Sequence, residues 1–303
     1  ITVAKMYYEY NHTQQDIASK LGLSRTYIGK LLNEARERGI VEIKVNDPLK
    51  SESELEERLR KKFGLKKTIT IPTSNNDPLL NDKLGSAAAK YLDAIIKDND
   101  IIGVAWGHTL HIFSTKVKAR ADLQNIQVVQ MCGGITKINE NFYIIETVKN
   151  IGNRLNGSYH FIPAPAVLDS ITSKNTLVKD RKISEILSLA RKANIAIFTV
   201  GAFNSNNTFV QAGYFSRDEF NKLKESGVIG DICSHLIDKD GNLCAMQIEK
   251  RTIGLSLEEI SSIPIRICIA ASKQKVDVLK AALKSGYINV LVTNEDMAYT
   301  LIK

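Results

Sequence analysis

The stretch TQQDIASKLGLSRTYIGKLL, residues 13–32, predicts two short helices joined by a tight turn. Thr13 can cap the first helix, and Asp16 three residues later completes a capping box. Gly22 stands where a helix ends in a left-handed residue, and Ser24 can cap the second helix. A helix, a turn with glycine and a second helix form the helix-turn-helix pattern, so we expect a DNA-binding unit here.

The second helix of this pair is expected to enter the major groove with its first turns. It carries no acidic residue before Glu34, and its polar side chains can bond base edges and phosphates. The two glutamines that begin the first helix can reach a phosphate. A helix starting near Val3 and an alternating segment over residues 40–45 complete a winged-type unit. The residues predicted to contact DNA are Gln14, Gln15, Ser24, Arg25, Thr26, Tyr27 and Lys30.

The net charge is informative through its placement rather than its total. The 303 residues carry 41 Lys and Arg against 33 Asp and Glu, a formal charge of +8, which is a weak indication of a polyanionic partner. Residues 1–47 hold seven basic and six acidic residues, and residues 48–69 hold seven basic and four acidic. The excess is therefore not gathered in a basic tail. A hydrophobic content of 44% excludes disorder.

A domain boundary is predicted before Pro48, which disfavours helix in the residue preceding it. The charged segment that follows has apolar residues at four-residue spacing, at Leu55, Leu59 and Phe63, and this predicts a helix with one apolar stripe. The stripe can pack on its own domain or on a partner chain in a dimer. The predicted domains are 1–47 for DNA binding, 48–66 as a linker or dimerisation helix, and 67–303 as an effector domain.

Strands and helices alternate from residue 67 onward, which predicts a Rossmann-like α/β domain with a mostly parallel sheet. With the N-terminal helices, the chain is expected to be an α+β multidomain protein. Segment 230–249 differs, because apolar runs flank residues 239–242 and predict a β-hairpin that turns there. The predicted strands are 68–72, 100–104, 126–131, 158–162, 194–200, 265–270 and 287–292. The predicted helices are 82–97, 109–119, 141–154, 176–192, 273–285 and 294–302.

Three strand-to-helix loops contain small residues: GVAWGHTL over 103–110, VVQMCGG over 128–134 and RICIAASKQK over 266–275. Ligands of open parallel sheets bind beyond the carboxyl ends of the strands, where helix N-termini attract anions. Lys275 adds a full positive charge at this edge, so we expect a phosphate or carboxylate site. Asp231, which opens a strand, could bind sugar hydroxyls or could be an ordinary turn acid.

The sequence favours neither a metal site nor an export route. His108 and His111 lack a third ligand, and the calcium-loop spacing that begins at Asp238 has Leu243 where a glycine is required. The four cysteines form no CxxC pair, so we expect free thiols and a cytoplasmic protein. The sequence shows no signal region and no apolar run long enough for a membrane span. We therefore expect no metal, no cofactor and no membrane partner.

The order of these motifs resembles the SorC family of bacterial transcription regulators. The resemblance runs nearly end to end and rests on the first two of the loops above together with five further segments. These are FIPAPAVLDS (161–170), LARKANIAIFTVG (189–201), GDICSHLIDKDGN (230–242), RTIGLSLEEI (251–260) and GYINVLVTNEDMAYTLI (286–302). The resemblance implies an N-terminal helix-turn-helix and an effector domain with the fold of phosphosugar isomerases. It also implies binding of phosphorylated sugars and assembly into dimers or tetramers on operator DNA.

The resemblance assigns effector-binding roles to particular positions. Gly107, His108 and Thr109 match its phosphate-binding loop, and Lys275 its phosphate-binding lysine. Asp231 matches an acid that contacts sugar hydroxyls. The loop of Cys132, Gly133 and Gly134 is expected to line the same pocket. The sequence departs from the family pattern at His108, where many relatives have Thr, Arg or Asn. It departs again at Cys132, where relatives have polar or basic residues, and at Ala271-Ser272, which replace a usual Gly-Gly.

These observations predict a transcription regulator, with a repressor of a sugar or nucleoside catabolic operon as the main hypothesis. The expected partners are operator DNA, a phosphorylated sugar and further copies of the chain. The alternative is a phosphosugar isomerase or deaminase with an appended helical domain. Such chemistry needs a positioned acid or base, and neither Asp231 nor His108 has an evident second partner, so no catalytic residue is predicted. A structural module that binds neither DNA nor ligand is the third possibility.

Overall fold

The computed structural model describes residues 1–10, 12–41, 53–134, 144–205, 207 and 211–303. Contacts within the chain divide it into two units, Ile1–Ser51 and Glu52–Lys303. This division falls four residues after the predicted end of the first domain at residue 47.

The elements are numbered in chain order. The helices are α1 Thr2–Tyr8, α2 Gln14–Leu21, α3 Arg25–Glu37, α4 Glu54–Phe63, α5 Leu80–Ile95, α6 His108–Lys116, α7 Ile144–Arg154, α8 Ile171–Leu177, α9 Arg181–Ala190, α10 Arg217–Glu225, α11 Met246–Glu249, α12 Leu257–Ser262, α13 Val276–Lys284 and α14 Glu295–Ile302. The strands are β1 Lys67–Ile71, β2 Ile101–Val104, β3 Gln127–Gln130, β4 Ser158–His160, β5 Ile195–Phe198, β6 Val200–Ala202, β7 Gly230–Ile232, β8 His235–Ile237, β9 Ile265–Ile269 and β10 Val290–Asn294.

The first unit contains α1, α2 and α3 around a small apolar core. Thr13 Oγ1 accepts a hydrogen bond from Asp16 N at 3.2 Å, and the Asp16 carboxylate accepts one from Thr13 N, so the capping box is present. Gly22 ends α2 with φ +64°, and Ser24 caps α3. Residues 42–45 of the predicted wing lie outside the described residues. The core consists of Val3, Ile17, Ala18, Ile28 and Leu32.

Helix α4 forms within the segment predicted as a linker, but it belongs to the second unit. Its stripe residue Leu59 is fully buried, and the helix packs on β1 and α14. Glu56 accepts a 2.7 Å hydrogen bond from Thr70 N on β1, and Lys62 Nζ donates one to the Ile302 carbonyl at the end of α14. Residues 48–52 of the predicted linker lie outside the described part of the chain.

The second unit is built on a seven-stranded parallel sheet in the order β1-β10-β9-β5-β2-β3-β4. Every residue of β5 and of β10 is buried, as expected for strands of a parallel sheet with both faces covered. Each predicted strand overlaps one of these seven. From β2 the chain continues to β3 and β4 on one side, and from β5 to β9 and β10 on the other. The strand order therefore reverses between β2 and β5.

A three-stranded antiparallel sheet, in the order β6-β7-β8, extends from the end of β5. Its hairpin joins β7 to β8 through Cys233 and Ser234, whose φ angles are +50° and +79°. The prediction of a hairpin with its turn at residues 239–242 is therefore wrong, because the observed hairpin turns at residues 233–234. Residues 238–242 do turn, but beyond Leu243 the chain forms α11 instead of a second strand. The left-handed turn escaped the sequence analysis because it contains neither Gly nor Asn.

The predicted helices are present with two changes. The helix expected over 176–192 is observed as α9, which begins at Arg181 because Asp180 caps it by accepting hydrogen bonds from Lys182 N and Ile183 N; residues 176–177 end the separate helix α8. The helix expected from 273 begins with a 3₁₀ turn, Lys273–Lys275, before α13. Residues 141–143, predicted to start α7, lie outside the described residues.

Candidate functional site

A cavity of about 210 Å³ opens at the carboxyl ends of β2 and β5, where the strand order reverses. The crevice at such a switch point is the usual ligand site of an open α/β sheet. Four segments form its walls: the loop from β2 into α6, the connection that follows β5, strand β7 with its turn, and the turn before α13. The cavity brings together five predicted effector-binding residues, which are Gly107, His108, Thr109, Asp231 and Lys275.

The first wall is the N-terminal end of α6. Gly107 precedes the helix with φ +145°, a conformation that side chains other than glycine rarely adopt. A Cβ atom there would also lie 3.1 Å from the methyl carbon of Thr199, a crowded distance. The backbone thus approaches the cavity closely, with His108 and Thr109 forming the first turn of α6. The unpaired N–H groups and dipole of a helix N-terminus favour an anion at this wall.

Lys275 forms the second wall, at the end of the 3₁₀ turn that follows β9. Its Nζ donates a 3.1 Å hydrogen bond to Thr199 Oγ1, and the side chain is partly buried. Burial lowers the pKa of the Lys275 ammonium, and the charge of Asp231 acts in the opposite direction. The cavity therefore has a cation and a helix N-terminus close to one side chain, Thr199.

Asp231 on β7 supplies the acceptor of the cavity. Asp231 is 8% exposed, and its carboxylate accepts long hydrogen bonds of 3.4 Å from Asn207 Nδ2 and from Ser234 N. Burial raises the pKa of the Asp231 carboxyl to about 6, against the opposing effect of these hydrogen bonds and of Lys275. A carboxylate that accepts only long hydrogen bonds from its own chain can still accept hydrogen bonds from ligand hydroxyls.

The loop of Cys132, Gly133 and Gly134 does not line this cavity. Cys132 is fully buried behind it, and burial raises the pKa of its thiol to about 12. Gly133 N donates to the Ile253 carbonyl and Gly134 N to the Ala164 carbonyl, both at 2.8 Å. A Cβ on Gly133 would overlap the backbone of residue 165. These glycines allow close packing between loops, so they need no ligand to explain them.

Several residues that line the cavity were not predicted from the sequence. Most of them follow β5, where the segment TVGAFNSNN (199–207) places small and amide side chains directly after a buried strand. That composition change was the available signal. The additional lining residues include Thr199, Gly201, Asn204, Asn207, Ser234 and Gln274.

The predicted DNA-contact residues lie on or beside α2 and α3 in the first unit. Gln14, Gln15 and Arg25 line one groove together with Tyr8 and His12. Ser24 uses its hydroxyl to accept the Tyr27 N–H, so part of its bonding capacity serves the cap. Gln15 and Ser24 are exposed, Gln14 is half-buried, and four further predicted contacts on α3 are exposed. These four are Arg25, Thr26, Tyr27 and Lys30.

Other clusters have structural explanations. His235 is 2% exposed, with Nδ1 2.8 Å from Glu249 Oε2 and Nε2 2.7 Å from the Leu255 carbonyl. Asp238 accepts from the backbone N–H groups of Asp240 and Asn242, so this carboxylate is engaged in a turn. Across the described ranges, no group of three His, Cys, Asp or Glu side chains could hold a metal ion. None of the helices in those ranges combines the length and apolarity needed to cross a membrane.

Comparison with known proteins connects this architecture to a family. Residues 47–303 match the Sugar-bind family model, a sugar-binding domain. The deoxyribonucleoside regulator of Bacillus subtilis is 34% identical, with 100% of this chain and 96% of the relative covered. The sorbitol operon regulator of Klebsiella pneumoniae is 28% identical, with coverage of 100% and 97%. The crystal structure of that full-length regulator, SorC, superposes with a TM-score of 0.79 at 29% identity, covering 100% of this chain and 97% of its own.

These relatives are regulators and not enzymes, and both carry the match through the first unit as well as the second. The mixed α/β fold with its parallel sheet is the one seen in the SorC structure. The sequence-based resemblance is therefore confirmed, and the isomerase or deaminase alternative is not. The chain belongs to the SorC-like family of sugar-binding transcription regulators.

Proposed function

We propose that this regulator binds operator DNA through its first unit and a phosphorylated sugar in the cavity between β2 and β5. The observation that carries the proposal is that one cavity holds two kinds of group. A helix N-terminus and the Lys275 ammonium can bind an anion, and we call them the anionic end; Asp231 beside Asn207 can bind hydroxyls, and we call them the hydroxyl end. A phosphorylated sugar has a matching anionic end and hydroxyl end.

The anionic end is best matched by a phosphate. The backbone N–H groups of His108 and Thr109, at the start of α6, can bond phosphate oxygens while the helix dipole stabilises their charge. Lys275 provides a point charge whose partial burial limits screening by solvent. Gln274, beside Lys275, and the Thr109 hydroxyl on α6 are neutral donors that line the same cavity.

The hydroxyl end is matched by a sugar because its polar groups are neutral or acidic and lie inside the cavity. Asp231 accepts hydrogen bonds, and the amides of Asn204 and Asn207 can both donate and accept. An apolar ligand would leave the buried Asp231 carboxylate with only its two long hydrogen bonds from Asn207 and Ser234, which is costly. The cavity is small, at about 210 Å³, so a monosaccharide phosphate is the class of effector we propose.

DNA binding is assigned to a winged-type helix-turn-helix formed by α2 and α3. The start of α3 presents exposed Arg25 and Lys30 with no acid in its first turn. A recognition helix contacts base edges with such N-terminal residues, while the start of the preceding helix contacts the phosphate backbone. Gln14 and Gln15 occupy that second position. The relatives' names, a deoxyribonucleoside regulator and a sorbitol operon regulator, support an operon of sugar or nucleoside catabolism.

We propose that the effector regulates the protein by changing the fraction of assemblies that can bind operator DNA, which we call DNA-competent. An effector changes operator binding only if it binds the competent and incompetent states with different affinity. Helix α4 is the described element that follows the boundary between the units, and Leu59 anchors it on the second unit. We propose that α4 transmits the change, that the chain acts as a dimer or tetramer, and that it represses its operon in the cytoplasm. The effector domain is proposed to share the phosphosugar isomerase fold without its chemistry.

The experiment that tests this proposal combines DNA and effector. Operator sequences are selected from random duplexes with the full chain, and their dissociation constants are measured with and without a panel of pentose and hexose phosphates. We expect at least one sugar phosphate to change operator affinity by about fivefold or more, in the range of typical allosteric coupling. The unphosphorylated sugar should have no effect. Selection of no specific duplex, or an unchanged affinity across the panel, would contradict the proposal.

A further inference from the structure

Thr199 joins the two walls of the anion end, and nothing in the sequence motifs assigns it a role. It lies between β5 and β6, partly buried, with its hydroxyl on one wall and its methyl group on the other. We infer that Thr199 is a positioning residue that holds the Lys275 ammonium beside the N-terminus of α6. This inference rests on the proposed function, because it concerns the same cavity and its anionic ligand.

The hydroxyl contact gives the ammonium a fixed direction. Lys275 Nζ donates to Thr199 Oγ1 at 3.1 Å, while the same hydroxyl is 3.4 Å from the Val200 carbonyl to which it can donate its own proton. The hydroxyl is thus oriented to accept from lysine. A lysine side chain has four rotatable bonds and loses considerable conformational entropy when it is held in one place. A partner that holds it in the free protein lowers the entropy lost when the ligand binds.

The methyl contact sets the position of the opposite wall. A Cβ atom on Gly107 would lie 3.1 Å from the Thr199 methyl carbon, so this methyl group packs closely against the backbone just before α6. Gly107 is the residue that begins this helix. One side chain therefore fixes both the cationic group and the helix N-terminus that a phosphate would contact. Neither contact involves the hydroxyl end, where Asp231 lies.

Two substitutions separate the contacts. Thr199→Val keeps the branched shape and the methyl group but removes the acceptor for Lys275. Thr199→Ser keeps the hydroxyl and removes the methyl group. Thr293→Val is the control, because Thr293 on β10 is a fully buried threonine whose hydroxyl has no partner in the described ranges. Binding of inorganic phosphate and of the pentose and hexose phosphates is measured by calorimetry on the full chain, and melting temperatures are recorded without ligand.

We expect Thr199→Val to weaken phosphate and sugar-phosphate binding about tenfold, the usual effect of losing a hydrogen bond to a charged group. Thr199→Ser should stay within about threefold of the original affinity, and Thr293→Val should not change it. If Thr199 had only a structural role, Thr199→Val would melt at a lower temperature and Thr199→Ser would not retain the original affinity. Equal affinity of Thr199→Val and the original chain, or equal losses in the valine and serine variants, would overturn the inference. Absence of binding to the unaltered chain would instead contradict the proposed function.

Discussion

The Asp231 carboxylate occupies the space that a side chain on Gly201 would need. A Cβ atom on Gly201 would lie well inside the contact distance of Asp231 Oδ1 and 3.3 Å from Asn207 Nδ2. The two strands β6 and β7 pair Gly201 directly with Asp231. The missing side chain therefore allows a buried acid to face the cavity from the neighbouring strand.

Substitution Gly201→Ala is expected to displace the Asp231 carboxylate. Overpacking of this kind typically costs about 1–3 kcal/mol in the free energy of unfolding, and sugar-phosphate affinity should fall as well. Urea denaturation measures the first effect and calorimetry the second. The double variant Gly201→Ala with Asp231→Ala restores room, so it should recover most of the lost stability. An additive loss in the double variant would show that the two side chains do not compete for space.

Asp231→Asn is expected to stabilise the protein while weakening effector binding. The pKa of Asp231 is raised to about 6 in the folded chain, against about 3.9 when unfolded. The folded state therefore binds this proton more tightly, and the free energy of unfolding falls as pH rises from about 4 to about 6. Above that range the cost is constant, at about 3 kcal/mol for a shift of this size.

Asparagine removes that cost, so Asp231→Asn should unfold at higher urea concentration than the original chain at pH 7. The gain should disappear near pH 4, where the original carboxyl is largely protonated in the folded state. Equilibrium denaturation at pH 4, 5, 6 and 7 gives the required comparison. A variant that is less stable at pH 7, or a pH profile identical to that of the original chain, would refute the raised pKa of Asp231.

The sequence predicted most of this fold because its signals were local. Apolar strands separated by helices identify a parallel sheet, and the Thr13–Asp16 capping box and Gly22 fix the helix ends in the first unit. The β7–β8 turn was missed because Cys233 and Ser234 adopt left-handed angles without the residues that usually favour them. Tertiary packing imposes that turn, and single-sequence patterns do not record such packing.

The candidate site was predictable to the extent that the sheet was. Gly107 and Lys275 come together because the carboxyl ends of parallel strands meet at one edge. The Cys132 loop follows β3, one strand away from the reversal, and packs on residues 164 and 253 instead. Thr199 and Asn207 escaped notice because a threonine or asparagine after a strand is ordinary, and only the three-dimensional contacts give these residues a role.

Ser272→Gly is expected to increase stability. Ser272 precedes the 3₁₀ turn with φ +120° and ψ +136°, a conformation that is natural only for glycine. Such a residue stores about 1–3 kcal/mol of backbone strain. Glycine removes this strain, but it also raises the conformational entropy of the unfolded chain, which offsets part of the gain in stability. A net gain of about 1 kcal/mol in the free energy of unfolding is expected. Ser272→Ala keeps the Cβ atom and serves as the matched variant, so equal stability of the glycine and alanine variants would contradict the strain.

Arg25→Ala is expected to weaken operator binding, because Arg25 is exposed at the first turn of α3 beside Gln14 and Gln15. If Arg25 contacts a base edge, the loss should be about 1–3 kcal/mol of binding free energy and sequence preference should relax at one position. If it contacts a phosphate, affinity should fall on all duplexes and the salt dependence should decrease by about one counterion.

Arg38→Ala is the control variant, because it removes the same charge from the opposite end of α3, where the arginine pairs with Glu34. Gel shifts at several salt concentrations distinguish these outcomes. An equal loss in both variants would mean that the start of α3 has no special role in DNA binding.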